Sequence, residues 1–361
     1  MSLYSSISLR QAADLIAAVG DKQTVLVQGE MGIGKSSILK MLKAMPKFKD
    51  YYFCYVDITT KDVGDFMVPK IKDIDGNEVC RFVPNEEFGL HFKGKKVVMM
   101  LDELGKAKGG VMNACLRLMQ ERSLGVWDLN GVVFATTNLA VEGIGDNIPP
   151  HARNRITIVK VRKPAPLPWI EEFAIPAGLN PVIIGTVREH GDELFASFED
   201  FETPSQNVYI NDPRTVRPSF VTHRSMEKAS YVYEETRILG DDVMCHALAG
   251  TVGAPAMNLI LTMDKMDRQL PDWDDLIKNP DTATVPSSAA AACMLVAKAV
   301  RRIDAASIKS WVQYAKRLSN EAQGLFARSV MLKTCPTRSI ATSNREFATW
   351  AAENNWAFAK E

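Results

Sequence analysis

The segment Gly29-Glu30-Met31-Gly32-Ile33-Gly34-Lys35-Ser36 sets two glycines at fixed spacing ahead of a lysine and a hydroxyl, the pattern of a phosphate-binding loop. Glycines let backbone N–H groups curl round phosphate oxygens without Cβ clashes, and the helix that follows adds partial positive charge. Lys35 is placed to neutralise the β and γ phosphates, the Ser36 hydroxyl to ligate Mg²⁺, and Ser37 to join Gly29–Ser36 in binding the nucleotide. At ordinary residue frequencies such a pattern arises by chance in roughly one per cent of chains this long. What argues against chance is the apolar run VVMMLDEL, which ends in two carboxylates, Asp102 and Glu103. In a parallel sheet that strand end faces the loop, so Asp102 can hold the Mg²⁺ shell and Glu103 can polarise an attacking water. A further run, ATTN, ends at Asn138, which either orients that water or simply caps a strand end.

These groups need a scaffold, and the hydrophobic period supplies one. Apolar residues at helical spacing from Ile7 to Val19, with Ser8 as a candidate cap, lead into the β-branched run Thr24 to Gln28. The glycine loop follows, then a helix that Pro46 stops. Further strands are expected at Tyr51–Ile58, Lys95–Glu103, Val132–Asn138 and Ile156–Val161, with a helix at Val111–Glu121. Alternation of strand and helix points to a five-stranded parallel sheet flanked by helices. Asp75-Gly76 signals a hairpin between the second and third strands, and SLGVWDLNG a smaller one; both are expected as insertions at the sheet edge.

After Val161 the proline-rich KPAPLP marks a boundary, and the texture becomes helical. Helices are expected at Trp169–Phe173, Pro181–Glu189, Phe220–Leu239, Asp242–Met263, Ser288–Arg302 and Ala306–Met331, with a long loop over Glu193–Pro218. The division is an α/β domain at 1–162, a helical lid at 163–250 and a C-terminal helical extension at 251–361. Trp311, Phe347, Trp350 and Trp356 are expected to pack a core there rather than dock a partner.

Composition narrows the function classes. The chain of 361 residues is 46% hydrophobic and 24% charged, as in globular proteins. Lys plus Arg equals Asp plus Glu at 43 each, so no global positive field gathers nucleic acid or anionic lipid. The six cysteines show no Cys-x-x-Cys pair or metal spacing and read as reduced core thiols. No export signal is seen at the N-terminus, and no stretch reaches the roughly 20 apolar residues of a membrane helix. A cytoplasmic location is the expectation.

In their order and gaps, the glycine loop, the DE and ATTN strand ends and the downstream PPHARNR resemble the AAA+ ATPases, most closely the MoxR-like branch that includes the CbbQ and gas-vesicle GvpN ATPases. The resemblance covers roughly Val19 to Ala229, including a stretch from DVGDFMVPK to DELGKA that is similar to the branch's insert. It implies a P-loop NTPase fold with an all-α lid, and it implies ATP and Mg²⁺ as cofactors. Lys35 and Ser36 then correspond to Walker A, Asp102 and Glu103 to Walker B, and Asn138 to sensor 1. It also implies an arginine finger at Arg155, with Arg153 second, and sensor 2 at Arg224, although His223 stands where the family usually carries Pro or a small residue.

A homo-oligomeric ring, expected as a hexamer, follows from the same resemblance, acting on a protein client, of which a von Willebrand A domain protein is one candidate. Two other readings stand beside it. One is a nucleic-acid motor or loader using Lys93–Lys96 and the cluster Arg214, Arg217, Arg224, which the neutral total charge disfavours. The other is a nucleotide-gated scaffold with little turnover, against which the intact Glu103 argues.

Overall fold

The computed structural model describes residues 6–92, 94–142 and 148–359, without the side chains of His151 and Arg237. The chain divides into two compact units, Met1–Lys163 and Pro164–Glu361.

In the first unit α1 (Leu9–Val19) starts at Ser8, whose hydroxyl accepts from the Gln11 N–H while the Gln11 side chain accepts from the Ser8 N–H. This reciprocal pair satisfies two otherwise orphaned amides. The strands β1 (Val25–Gln28), β2 (Tyr52–Asp57), β5 (Val97–Asp102), β8 (Gly131–Thr137) and β9 (Thr157–Lys160) form one sheet in the order β2-β5-β8-β1-β9. Every pairing in it is parallel. The helices are α2 (Ser37–Lys43), α3 (Gly109–Glu121) and the short α4 (Pro150–Arg153).

The continuous apolar runs of β5 and β8 are buried on both faces, and strand period divides them between two cores. Val97, Met99 and Leu101 join Val133 and Ala135 on one face, with Val111, Cys115 and Leu118 of α3. Val98, Met100, Val132 and Phe134 turn to the other, with Ile38 and Leu42 of α2 and Ile16 of α1.

The Asp75-Gly76 hairpin is present as β3 (Met67–Ile74) and β4 (Asn77–Pro84), and the smaller one as β6 (Ser123–Leu124) and β7 (Trp127–Asp128). Each is a separate two-stranded sheet rather than an addition to the edge of the main one. The indole of Trp127 donates to the Phe82 carbonyl at 2.9 Å, tying one hairpin to the other.

The second unit is helical: α5 (Pro166–Trp169), α6 (Pro181–Leu194), α7 (His223–Glu234), α8 (Thr236–Leu239), α9 (Asp241–Val252), α10 (Ala254–Asp267), α11 (Trp273–Lys278), α12 (Ala289–Arg302), α13 (Ile308–Ala315), α14 (Asn320–Met331), α15 (Arg338–Thr342) and α16 (Arg345–Glu353). One hydrophobic core runs from Trp169 to Ala357, and both 163–250 and 251–361 contribute to it. The expected helix Asp242–Met263 is broken at Gly253, whose φ of 88° ends α9, with Pro255 opening α10. Ala306–Met331 is likewise two helices, the second capped by Ser319. Helices α11, α15 and α16 lie outside the expected set. Trp311, Phe347 and Trp350 are buried, whereas Trp356 is exposed.

Four cysteines are buried as expected, Cys245 is half-buried, and Cys80 is exposed on the β3–β4 hairpin. No described helix is long and apolar enough to cross a membrane.

Four of the basic groups of the nucleic-acid reading have local partners. Arg214 donates to the Glu202 and Phe201 carbonyls and pairs with Asp212, and Arg217 donates to the Ile210 and Pro204 carbonyls. Together they brace the long loop. Lys95 and Lys96 lie over the rings of Phe92 and Tyr51, while Lys93 lies outside the described residues.

Candidate functional site

The phosphate loop leaves the C-terminal end of β1 and turns into α2. Its backbone uses its glycines: Gly32 and Gly34 have φ of 72° and 94°, in the left-handed region. Gly29 is required for space, since a Cβ there would sit 2.7 Å from Ile33 Cδ1 and from Val161 Cγ2.

Lys35 is buried and folded back over the loop. Its ammonium donates to the carbonyls of Gly29 and Glu30 and to Asn138 Oδ1, each at 2.8 Å. A buried ammonium needs such partners, because it has left water. The Glu30 side chain turns the other way and pairs with Lys163 at 2.7 Å. Ile33 is buried, and Met31 and Ser37 are half-buried.

Strand parity places the acids. Asp102 shares the face of β5 that carries Val98 and Met100, which packs on α2, and this brings its carboxylate to the residue before α2. Ser36 Oγ donates to Asp102 Oδ2 at 3.1 Å. The Thr136 hydroxyl donates to Asp102 Oδ1, and the Tyr55 hydroxyl donates to Oδ2 at 2.8 Å. Three hydroxyls thus fix one carboxylate. Glu103 follows with φ 57° and ψ 39°, a left-handed conformation that costs energy for a residue with a Cβ and that functional turns retain. Its carboxylate pairs with Lys106.

The acidic strand is not the immediate neighbour of β1: β8 lies between them, paired to both. The tip of β8 bridges the gap, through Thr136 to Asp102 and through Asn138 to Lys35. Asn138 is buried and is therefore more than a solvated cap.

Beyond β8, Glu142 is buried, and its carboxylate accepts the Met31 N–H of the loop at 3.1 Å and the Leu139 N–H at 3.2 Å. Burial holds its acidity below that of an ordinary glutamate, raising its pKa, while the Met31 amide and Lys35 oppose the shift.

Arg153 and Arg155 are exposed at and beyond the end of α4. Arg153 Nε donates to the Ile148 carbonyl at 3.0 Å, and Arg155 donates to Gln120 Oε1 at 2.7 Å. The first residue of the NIPPHARNR segment, Asn147, lies outside the described residues. Arg224 belongs to the second unit, exposed on the first turn of α7. His223 beside it is buried against Phe195, with Nε2 at 2.8 Å from the Pro164 carbonyl.

No protein-family model and no curated protein matches the sequence. Among solved structures the chain is similar to NtrX from Brucella abortus in complex with ADP, at 14% identity over 97% of this chain and 68% of that one, with a TM-score of 0.35. It is also similar to a RuvB mutant from Thermotoga maritima, at 10% identity over 75% and 74% of the two chains and a TM-score of 0.37. PCH-2 from C. elegans is a third, at 13% identity over 72% and 68% and a TM-score of 0.32. The first unit is a five-stranded parallel sheet flanked by helices, with the glycine loop between β1 and α2. Likenesses this distant leave the chemistry to the site itself.

The donor set suits a hard divalent cation. A hydroxyl and a carboxylate from Ser36 and Asp102 leave most coordination positions to water and phosphate oxygens, the habit of Mg²⁺. Among the described residues no cluster of three or more His, Cys, Asp or Glu forms a self-sufficient metal cage. Tyr55, Thr136, Lys106 and Glu142 were not singled out from sequence. Thr136 stood inside the ATTN run that drew attention to Asn138; the others carried no local signal, because their roles come from strand register and loop path.

Proposed function

We propose that the chain is an ATPase of the AAA+ class, MoxR-like, working as a homo-oligomeric ring that remodels or assembles a protein partner. One observation carries the reading. Four chain segments with no sequence proximity meet in a single hydrogen-bonded set: Lys35 with Asn138, and Ser36 with Asp102, which Tyr55 and Thr136 also hold.

In this reading Gly29 to Ser37 cradle the phosphates, and Lys35 exchanges its carbonyl partners for phosphate oxygens. Ser36 and Asp102 hold Mg²⁺, which screens the negative charge of the triphosphate when bound. Glu103 accepts the proton of the attacking water, and Asn138, released by Lys35, orients that water. Arg155, or Arg153 in its stead, both exposed, reaches the neighbouring subunit's nucleotide. Arg224 acts as sensor 2 from a lid formed by 163–250, and 251–361 is an extension of it. A ring of six subunits and a von Willebrand A domain partner are the family expectations for this site.

The test is Glu103→Gln. It should bind ATP like the parent and lose hydrolysis by about 10²-fold or more, the usual worth of a positioned base. Trapped in ATP, it should form rings countable by particle imaging and retain its client in a pull-down. Hydrolysis at the parent rate refutes the base assignment, and a monomer in ATP refutes the ring.

A further inference from the structure

Asp102 is held by a residue outside the phosphate loop and outside both acidic and polar strand ends. Tyr55 lies on β2, the edge strand next to β5, where it pairs in register with Met100. Cys54 and Val56 turn into the core on the α3 face, so parity puts Tyr55 on the opposite face, the one that carries Asp102. The phenol reaches two residues along the neighbouring strand and donates to Asp102 Oδ2 at 2.8 Å. That oxygen also accepts from Ser36 Oγ at 3.1 Å.

The arrangement has a second constraint. Asp57 is the register partner of Asp102, which sets two carboxylates side by side, and like charges so placed repel. Asp57 is satisfied by its own turn, accepting from the Thr59 N–H at 2.9 Å and from the Thr59 hydroxyl at 2.6 Å. Asp102 has no such turn, and its Oδ2 depends on Ser36 and Tyr55. Once Ser36 turns its oxygen toward a cation, the Tyr55 hydroxyl still donates to that oxygen from outside the loop.

We propose that Tyr55 is a positioning residue for the magnesium site, holding Asp102 so that its carboxylate faces Ser36 and accepts the cation's shell. The proposal rests on the Mg²⁺-nucleotide reading above. Tyr55 is 51% exposed, so Tyr55→Phe removes one oxygen from a half-open surface and keeps the ring packing. At a half-exposed site a hydroxyl–carboxylate bond is worth less than a buried charged one, and its loss changes an equilibrium by roughly three- to thirtyfold.

The measurement is ADP affinity by calorimetry on the full chain, once in excess Mg²⁺ and once in EDTA. Tyr55→Phe should weaken binding about three- to thirtyfold in Mg²⁺ and leave the EDTA value unchanged. In an Asp102→Asn background the same substitution should lose most of its Mg²⁺ effect, since the group it positions is gone. Equal affinities for Tyr55→Phe and parent in Mg²⁺ overturn the proposal, as does equal weakening in Mg²⁺ and EDTA, or full additivity with Asp102→Asn. A parent that gains nothing from Mg²⁺ sinks the nucleotide-site reading itself.

Discussion

Lys35 is anchored within the protein's own loop, apart from the nucleotide role proposed for it, and that anchoring can be weighed. Its ammonium makes three hydrogen bonds of 2.8 Å in a buried setting, two to loop carbonyls and one to Asn138. Bonds from a charged donor contribute about 1.5 to 3 kcal/mol each when compared with an unpaired acceptor. Much of that offsets the cost of taking an ammonium out of water, leaving a net loss of about 3 kcal/mol when the charge is removed and three acceptors are stranded. Lys35→Met keeps a flexible chain in the slot and deletes only the charge and the donors. For a unit of this size about 3 kcal/mol lowers Tm by roughly 6 to 12 °C. The assay is thermal unfolding by circular dichroism in EDTA without nucleotide. Asp102→Asn, run in parallel, keeps an oxygen acceptor for Ser36 and should shift Tm less. A Lys35→Met protein that melts with the parent in EDTA refutes the reasoning, because the lysine would then not be anchored to the loop. Nucleotide binding should be lost in Lys35→Met and in Lys35→Ala whichever way the melting comes out.

Gly29→Ala should displace Ile33 or Val161, each 2.7 Å from the new Cβ, and weaken nucleotide affinity by about tenfold or more; unchanged affinity by calorimetry would show that the loop yields without cost. Arg155→Ala should lose turnover by about 10³-fold and regain part of it on mixing with Lys35→Ala subunits, each supplying what the other lacks; steady-state ATPase of the mixture decides, and no recovery removes the trans role. Glu142 has a pKa raised by burial, so its contribution to stability is fully present below the ordinary carboxylate range and is lost as pH rises through the elevated folded value. Urea unfolding of the parent against Glu142→Gln should show the parent losing ground as pH rises above the ordinary carboxylate range, and a difference that is flat with pH contradicts the assignment.

The elements of the first unit were legible because their signals are local. A glycine loop between a β-branched run and a helix, and an apolar run closing on two acids, need no knowledge of what lies beside them. Gly253 followed by Pro255, and Ser319 ahead of α14, were equally local stop and start signals inside stretches read as single helices. What could not be read was order across the sheet. That β8 separates β1 from β5 follows from pairing, and only pairing puts Tyr55 diagonally from Asp102 or brings Glu142 to the Met31 amide. Arg214 and Arg217, grouped by charge as a patch, turn out to spend their donors on carbonyls of their own loop. Charge counted along a sequence does not say which way a guanidinium points.

Because β8 is hydrogen-bonded on both sides, it acts as a spacer of fixed width. Adjacent strands lie about 4.8 Å apart, so the mouth of the glycine loop and the root of the acidic pair are held roughly 10 Å from one another by backbone alone. Side chains reaching inward from both banks then meet over the strand between them, and the gauge survives any exchange of the residues lining it. Changing that width would take an added or deleted strand, an alteration far rarer than substitution.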